Sequence, residues 1–179
     1  SNGNPIPAVG LTFNGAGQTG TGDALVITGN ATEFTNQNFT FTTQDANGND
    51  GSIQINDGAV TRTITFTGLE PIDGGDSMNT TFNLPTGMQN ADAILRNHVT
   101  SGRIEIVGST FEDTNIPNPS VSLTVNLGNQ GDTLTVNTLD VGFDADITVT
   151  GGSGADVVRF ATAVNAGAGE SLTVIGVET

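Results

Sequence analysis

SLTVNLGNQGDTLTV (Ser122–Val136) returns 24 residues on as DITVTGGSGADVVRF (Asp146–Phe160), and 25 residues later SLTV opens a third copy at Ser171. At this offset Leu123 falls on Ile147 and Leu172, and Val125 on Val149 and Val174. Gly128 likewise falls on Gly152, Asp132 on Asp156, Leu134 on Val158 and Val136 on Phe160. A period of this length, with like falling on like, marks a chain whose repeats stack one on another. Within each copy, apolar and polar residues alternate strictly: Leu123, Val125 and Leu127 on one side, Thr124 and Asn126 on the other. Period-two alternation of β-branched residues, broken by Gly, Asn and Asp, predicts short strands with one buried face. Two strands joined by GNQG or GGSG, then a looser segment (residues 139–143, and about 163–168), predict about three faces per turn. The expected fold is all-β: a parallel β-helix, or β-solenoid, with coils of ~24 residues in its C-terminal half. Each buried Val, Leu or Ile in such a stack contributes roughly 1.5–3 kcal/mol.

Composition agrees with this. The 179 residues suffice for one domain that buries about 70% of its unfolded surface. No run approaches the ~18 apolar residues of a spanning helix. The formal charge of −15 arises from 19 acids against four Arg, with no Lys. Nucleic acid and anionic membrane surfaces are thereby excluded as partners, since both need basic side chains. An excess of acid suits solubility in a salty medium or the holding of divalent cations. Cysteine is absent, so neither disulfides nor thiol chemistry are available.

The expected organisation is a single domain over residues 1–179. Residues 1–10 form an extended arm, 11–72 an irregular set of strands, 73–120 a connecting segment and 121–179 the regular coils. Strands are predicted at Gly10–Asn14, Ala24–Thr28, Phe39–Thr43, Ser52–Asn56 and Thr61–Thr67, separated by Gly-, Asn- and Asp-rich turns. A β-sandwich would give this N-terminal half the same local signals. Further strands are predicted at Thr81–Leu84 and Gly102–Val107, with Asn115–Ser120 as a proline-bent link. Asn90–Val99 is the one stretch with a helical alternative. The third copy opens at Ser171, and a solenoid is not expected to stop there unless something else continues the stack from its strand edge.

VGLTFNGAGQTGTGDALVITG (Val9–Gly29), DGSIQINDG (Asp50–Gly58), ITFTGLEPI (Ile64–Ile72) and the repeats through Phe160 together resemble the recurring module of very large bacterial surface proteins. Such modules occur in planctomycetes, cyanobacteria and related aquatic bacteria, beside cadherin-like and haemolysin-type calcium repeats. The resemblance implies an extracellular or cell-surface, non-catalytic, tandem β-solenoid segment. Residues 73–107 depart most from the pattern.

Gly151-Gly152-Ser153-Gly154-Ala155-Asp156-Val157-Val158-Arg159 matches the nonapeptide G-G-x-G-x-D-x-U-x of calcium-binding β-rolls. Asn129 and Asp132 lie in a degenerate copy one coil earlier. The candidate Ca²⁺ ligands are accordingly Asp132, Asp156, Gly151, Ser153 and Asn129. Stacked coils would bring the two carboxylates to about 4.8 Å. At about 5 Å they repel by roughly 3 kcal/mol at an effective dielectric near 20. Either both face solvent on a Gly-rich turn, or a cation or a shared proton lies between them.

Other candidates are weaker. His98 is the only imidazole, so a zinc site or a His-based triad has no partners. Glu112/Asp113 and Asp144/Asp146 are carboxylate pairs of the kind that serve glycoside hydrolysis. With no Trp or Tyr to stack sugars, an enzyme is not expected. Arg159 is expected to face outward toward an acid on a neighbouring coil. Outward Thr124, Thr135, Thr148 and Thr173, with Thr61, Thr63 and Thr65, would make an ice or mineral binder only if they shared one flat face, which the sequence does not suggest. Asn30, Asn38 and Asn79 head N-glycosylation patterns that chance explains in so Asn- and Thr-rich a chain.

The function expected from this is a structural, adhesive building block of a surface protein, sheath or fibre. Copies or neighbouring modules would meet end to end, Ser171–Val177 of one against Pro5–Phe13 of the next, with surface polysaccharide as a further partner. The alternative is a carbohydrate-binding or carbohydrate-cleaving β-helix.

Overall fold

A computed structural model describes residues 6–15, 23–29, 33–45, 48–69 and 71–178. The alternation of apolar and polar residues is realised as fifteen strands. These are β1 (Leu11–Asn14), β2 (Leu25–Val26), β3 (Asn36–Asp45), β4 (Gly48–Asn56), β5 (Thr61–Leu69), β6 (Ile72–Asp73), β7 (Asn79–Asn83) and β8 (Ala93–Asn97). They continue with β9 (Arg103–Val107), β10 (Thr114–Pro117), β11 (Ser122–Asn126), β12 (Thr133–Val136), β13 (Asp146–Thr150), β14 (Val157–Phe160) and β15 (Leu172–Ile175). The chain is all-β. Two mixed sheets form, neither closed: β1-β5-β4-β3-β7-β11-β13-β15 and β14-β12-β8-β9-β10-β6-β2.

The repeats pair as their spacing predicts. Leu123 lies beside Ile147, and Ile147 beside Leu172, on adjacent parallel strands. In the second sheet Leu134 lies beside Val158 and Val136 beside Phe160. The parallel run reaches down through β7 to β3 and, in the other sheet, from β12 to β8. Below that, direction reverses twice in each sheet, through the antiparallel sets β3-β4-β5 and β8-β9-β10. Hairpin turns account for such reversals, as at Asn56–Thr61, where the Gly58 N–H donates to Asn56 Oδ1 and the Ala59 and Val60 N–H groups donate to Asp57 Oδ1.

Several expectations need correction. Residues 90–99 hold no helical turn: Ala93 and Leu95 alternate with Ile94 and Arg96, and the stretch pairs as β8. The proline-bent link at 115–120 begins as a strand: β10 takes in Asn115, Ile116 and Pro117. Residues 73–120, expected as a connecting segment, contribute β7 to one sheet and β8 to β10 to the other. The expected third face carries no strand, although Leu139 and Phe143 from it are buried. Of the N-terminal arm, residues 1–5 lie outside the described residues, and Pro7–Gly10 closes a turn through a 2.8 Å Gly10 N–H bond to the Pro7 carbonyl. Asn30–Thr32 and Asn47 also fall outside the described residues.

One core lies between the sheets, with Phe39, Ile53, Phe82, Leu95, Ile104, Leu123 and Leu134 fully buried in it. Its organising feature is a single register row across the whole first sheet: Leu11, Ile64, Ile53, Phe39, Phe82, Val125, Val149, Val174. Phe39 and Phe82 meet within it at a ring separation of 5.2 Å. A facing row in the second sheet runs Phe160, Val136, Leu95, Ile106, Thr114, Ile72, Leu25.

Candidate functional site

In the turns before β8, β12 and β14 polar groups go inside. Asn90, Asp132 and Asp156 are buried there, and together with the exposed Glu178 after β15 they form a run of hydrogen bonds in one direction. The Asn90 backbone N–H donates to Asp132 Oδ1 at 2.7 Å. The Asp132 N–H donates to Asp156 Oδ1 at 2.8 Å, and the Asp156 N–H to Glu178 Oε2 at 2.8 Å. Each acid of an upper turn therefore satisfies a donor of the turn below. A short polar side chain after a Gly-rich turn does this well, because it reaches the backbone without crossing the core.

Asp132 and Asp156 are both 0% exposed, so the solvent-facing reading of these acids is wrong: the turns close over them. Their second oxygens, Asp132 Oδ2 and Asp156 Oδ2, are buried with no hydrogen-bond partner. Glycines are needed beside them. A Cβ on Gly128 would stand 3.1 Å from Asp132 Oδ2, and one on Gly151 2.8 Å from Asp156 Oδ2. Gly128 and Gly152 also adopt φ of 127° and 97°, which favours glycine on its own account. Burial pushes the Asp132 carboxyl above its ordinary range; the Asn90 N–H opposes this and the neighbouring Asp156 charge adds to it.

Asn90 shows what these surroundings ask for. Its Nδ2 donates to the Pro85 carbonyl at 3.0 Å, to the Leu127 carbonyl at 2.8 Å and to Asp132 Oδ1 at 3.1 Å. Where Asn90 offers N–H groups, Asp132 and Asp156 each present a second carboxylate oxygen that no hydrogen-bond donor reaches.

The five residues expected to hold Ca²⁺ divide by burial. Asp132, Asp156 and Gly151 are buried, whereas Asn129 and Ser153 sit exposed at the turn tips. There the Ser153 hydroxyl donates to the Asn129 carbonyl at 3.3 Å. Among the described residues no group of three or more His, Cys, Asp or Glu is placed to hold a metal. The free donors are hard oxygens, which suits calcium. Two carboxylate oxygens fall short of its six to eight ligands, and turn carbonyls and water would have to supply the rest.

The remaining candidates have structural employment. His98 lies in the β8–β9 turn, its Nδ1 accepting the Thr100 N–H at 3.1 Å. Glu112 is buried and takes the Asn49 amide at 3.1 Å, while Asp113 stays exposed. Asp146 accepts both the backbone N–H (2.8 Å) and the hydroxyl (2.6 Å) of Ser171, which hold its carboxyl below the usual range. Arg159 faces outward but forms no ion pair among the described residues; the pairs there are Arg96–Glu105 and Arg103–Asp73.

One alignment was not legible in the sequence. Thr81, Thr124, Thr148 and Thr173 stand in one outward row on β7, β11, β13 and β15. The row then passes through Asn38 and Gln54 before reaching Thr63, and Thr135 belongs to the other sheet. The repeat period predicts the last three threonines; Thr81 lies outside it.

No family model matches the chain, and no curated protein or solved structure matches it.

Proposed function

We propose that the chain is a non-catalytic structural module, a parallel β-helix whose two antiparallel excursions are local departures from a stack of coils. The observation that carries this is the in-register row of eight inward residues through the first sheet, six of them buried at 3% exposure or less. A stack of that kind spans distance and presents extended outer faces. The acids that would serve hydrolysis are instead committed to backbone N–H groups, as at Asp146, or to an amide, as at Glu112.

The setting that fits such a module is extracellular or at the cell surface, as part of a tandem adhesin-like protein, sheath or filament of the kind the sequence resembles. Its partners are copies of itself or neighbouring modules, met at the ends, with surface polysaccharide along the faces. Calcium between the turns of Asp132 and Asp156 would stabilise it, meeting the two unpartnered oxygens.

Electron microscopy of the purified chain with calcium and with EDTA tests this reading. Rods or fibres that loosen on chelation support it. Dispersed single particles in both conditions, or turnover of an acidic polysaccharide, would overturn it in favour of a carbohydrate-active β-helix.

A further inference from the structure

Both ends of the stack are unfinished, and they are unfinished in matching ways. In the first sheet β15 runs parallel to β13, β11, β7 and β3; two reversals then bring β5, and with it β1, back to the same direction. In the second sheet β14 and β12 run parallel to β8; two reversals return β10, β6 and β2 to that direction. The outermost strands therefore point the same way at the two ends, in both sheets.

The core rows also end alike. Leu11 and Val174 close the long row of the first sheet at 45% and 36% exposure, against 3% or less for every residue between them. At the β15 end Leu172 and Phe160 are open too, at 40% and 44%. At the β1 end an apolar groove of about 250 Å³ is lined by Ile6, Pro7, Leu11, Leu25, Val26 and Phe34, among others.

We propose that these two surfaces are the halves of one head-to-tail joint between copies of this chain, with β1 of one copy added in parallel to β15 of the next. The joint rests on the reading of the chain as a stacking module and deepens it by fixing partner, polarity and register. Continuing the rows across it sets Val174 beside Leu11, and outward Ile175 beside outward Thr12. The sheets differ in length by one strand, so β15 projects one step beyond β14. In a head-to-tail joint that step receives the Ile6–Pro7 segment of the incoming copy, which lines the groove next to Leu25. A two-fold joint of β15 with β15 would instead leave two empty strand positions above the exposed Phe160 rings. Parallel strand addition supplies the backbone bonds, and the apolar row ends supply the burial. An interface of this heterologous kind propagates into filaments unless it closes into a ring. With each copy at −15, it forms more readily as salt screens the ends from each other.

Because the chain contains no cysteine, disulfide trapping reads the joint directly. Thr12→Cys and Ile175→Cys variants, each checked for unchanged circular dichroism, are oxidised alone and as an equimolar mixture while light scattering follows assembly. Neighbouring parallel strands lie about 4.8 Å apart, within the ~4.4–6.8 Å that a disulfide spans between Cα atoms. The joint predicts heterodimers in the mixture, none from either variant alone, and a ladder of oligomers from the double variant. Dimers from Ile175→Cys alone would replace it with a two-fold joint. Assembly without cross-links would overturn the joint while leaving the stacking module standing, and a chain that stays monomeric at every salt concentration would sink both.

Discussion

Replacing Asp132 with Asn should make this protein more stable in the absence of calcium, although it removes one of the best-placed acids in the chain. Asp132 Oδ1 already accepts the Asn90 N–H and amide, and an Asn carbonyl would keep those bonds. Oδ2 is the atom that changes: buried and unpartnered as an oxygen, it becomes an amide nitrogen in surroundings where the Asn90 nitrogen finds two backbone carbonyls. A buried unsatisfied polar group costs about 1–3 kcal/mol, and more when charged. The gain at neutral pH should therefore be at least about 1 kcal/mol, or roughly 2–4 °C in Tm for a chain of this size. The pH dependence has a definite sign. Asp132 is raised in the folded state, so the folded chain binds more protons than the unfolded one above the ordinary aspartate range. Wild-type stability then falls as pH rises through that window, and recovers as pH drops toward the unfolded value. The advantage of Asp132→Asn should shrink in step on acidification. Urea melts of both proteins in EDTA between acid and neutral pH measure this. A variant less stable than wild type at neutral pH in EDTA would refute the reasoning, since Oδ2 would then have a favourable role without metal.

Other outcomes follow from the same geometry. Adding calcium at neutral pH should raise the wild-type Tm and leave Asp132→Asn unmoved, as calorimetry would show. Phe82→Ala, in the middle of the long row and against Phe39, should cost about 3–5 kcal/mol in chemical denaturation. Gly152→Ala should destabilise the turn by more than the ~1 kcal/mol of an ordinary glycine change, because its Cβ would run into the Gly128 carbonyl oxygen at a φ that disfavours side chains. Asp146 is held low by Ser171, so the support it gives β15 is present at neutral pH and lost as pH falls through its lowered value; loss of amide protection at Ser171 in acid would report it.

The period of Leu123, Ile147 and Leu172 made the parallel pairing of β11, β13 and β15 legible, because stacking forces like residues onto like. Nothing comparable announced the reversals. β4 and β9 alternate as cleanly as the parallel strands do, and alternation fixes which face is buried, not which way the chain runs. β8 was open to a helical reading because Ala93, Leu95 and Arg96 favour helix by propensity, and pairing with β9 and β12 overrode it. The Asp132–Asp156 alignment was visible, but its burial was not: glycine-rich turns usually face water, and only the closing of one turn over the next takes these acids inside. The matching polarity of the two ends depends on counting reversals, which requires the sheet order.

X-ray diffraction from aligned assemblies of the purified chain tests the central claim most directly. If the chain is a segment of a stack, strands cross the long axis and the ~4.8 Å strand spacing appears along it, on the meridian. The same spacing on the equator, with strands running lengthwise, would contradict the account.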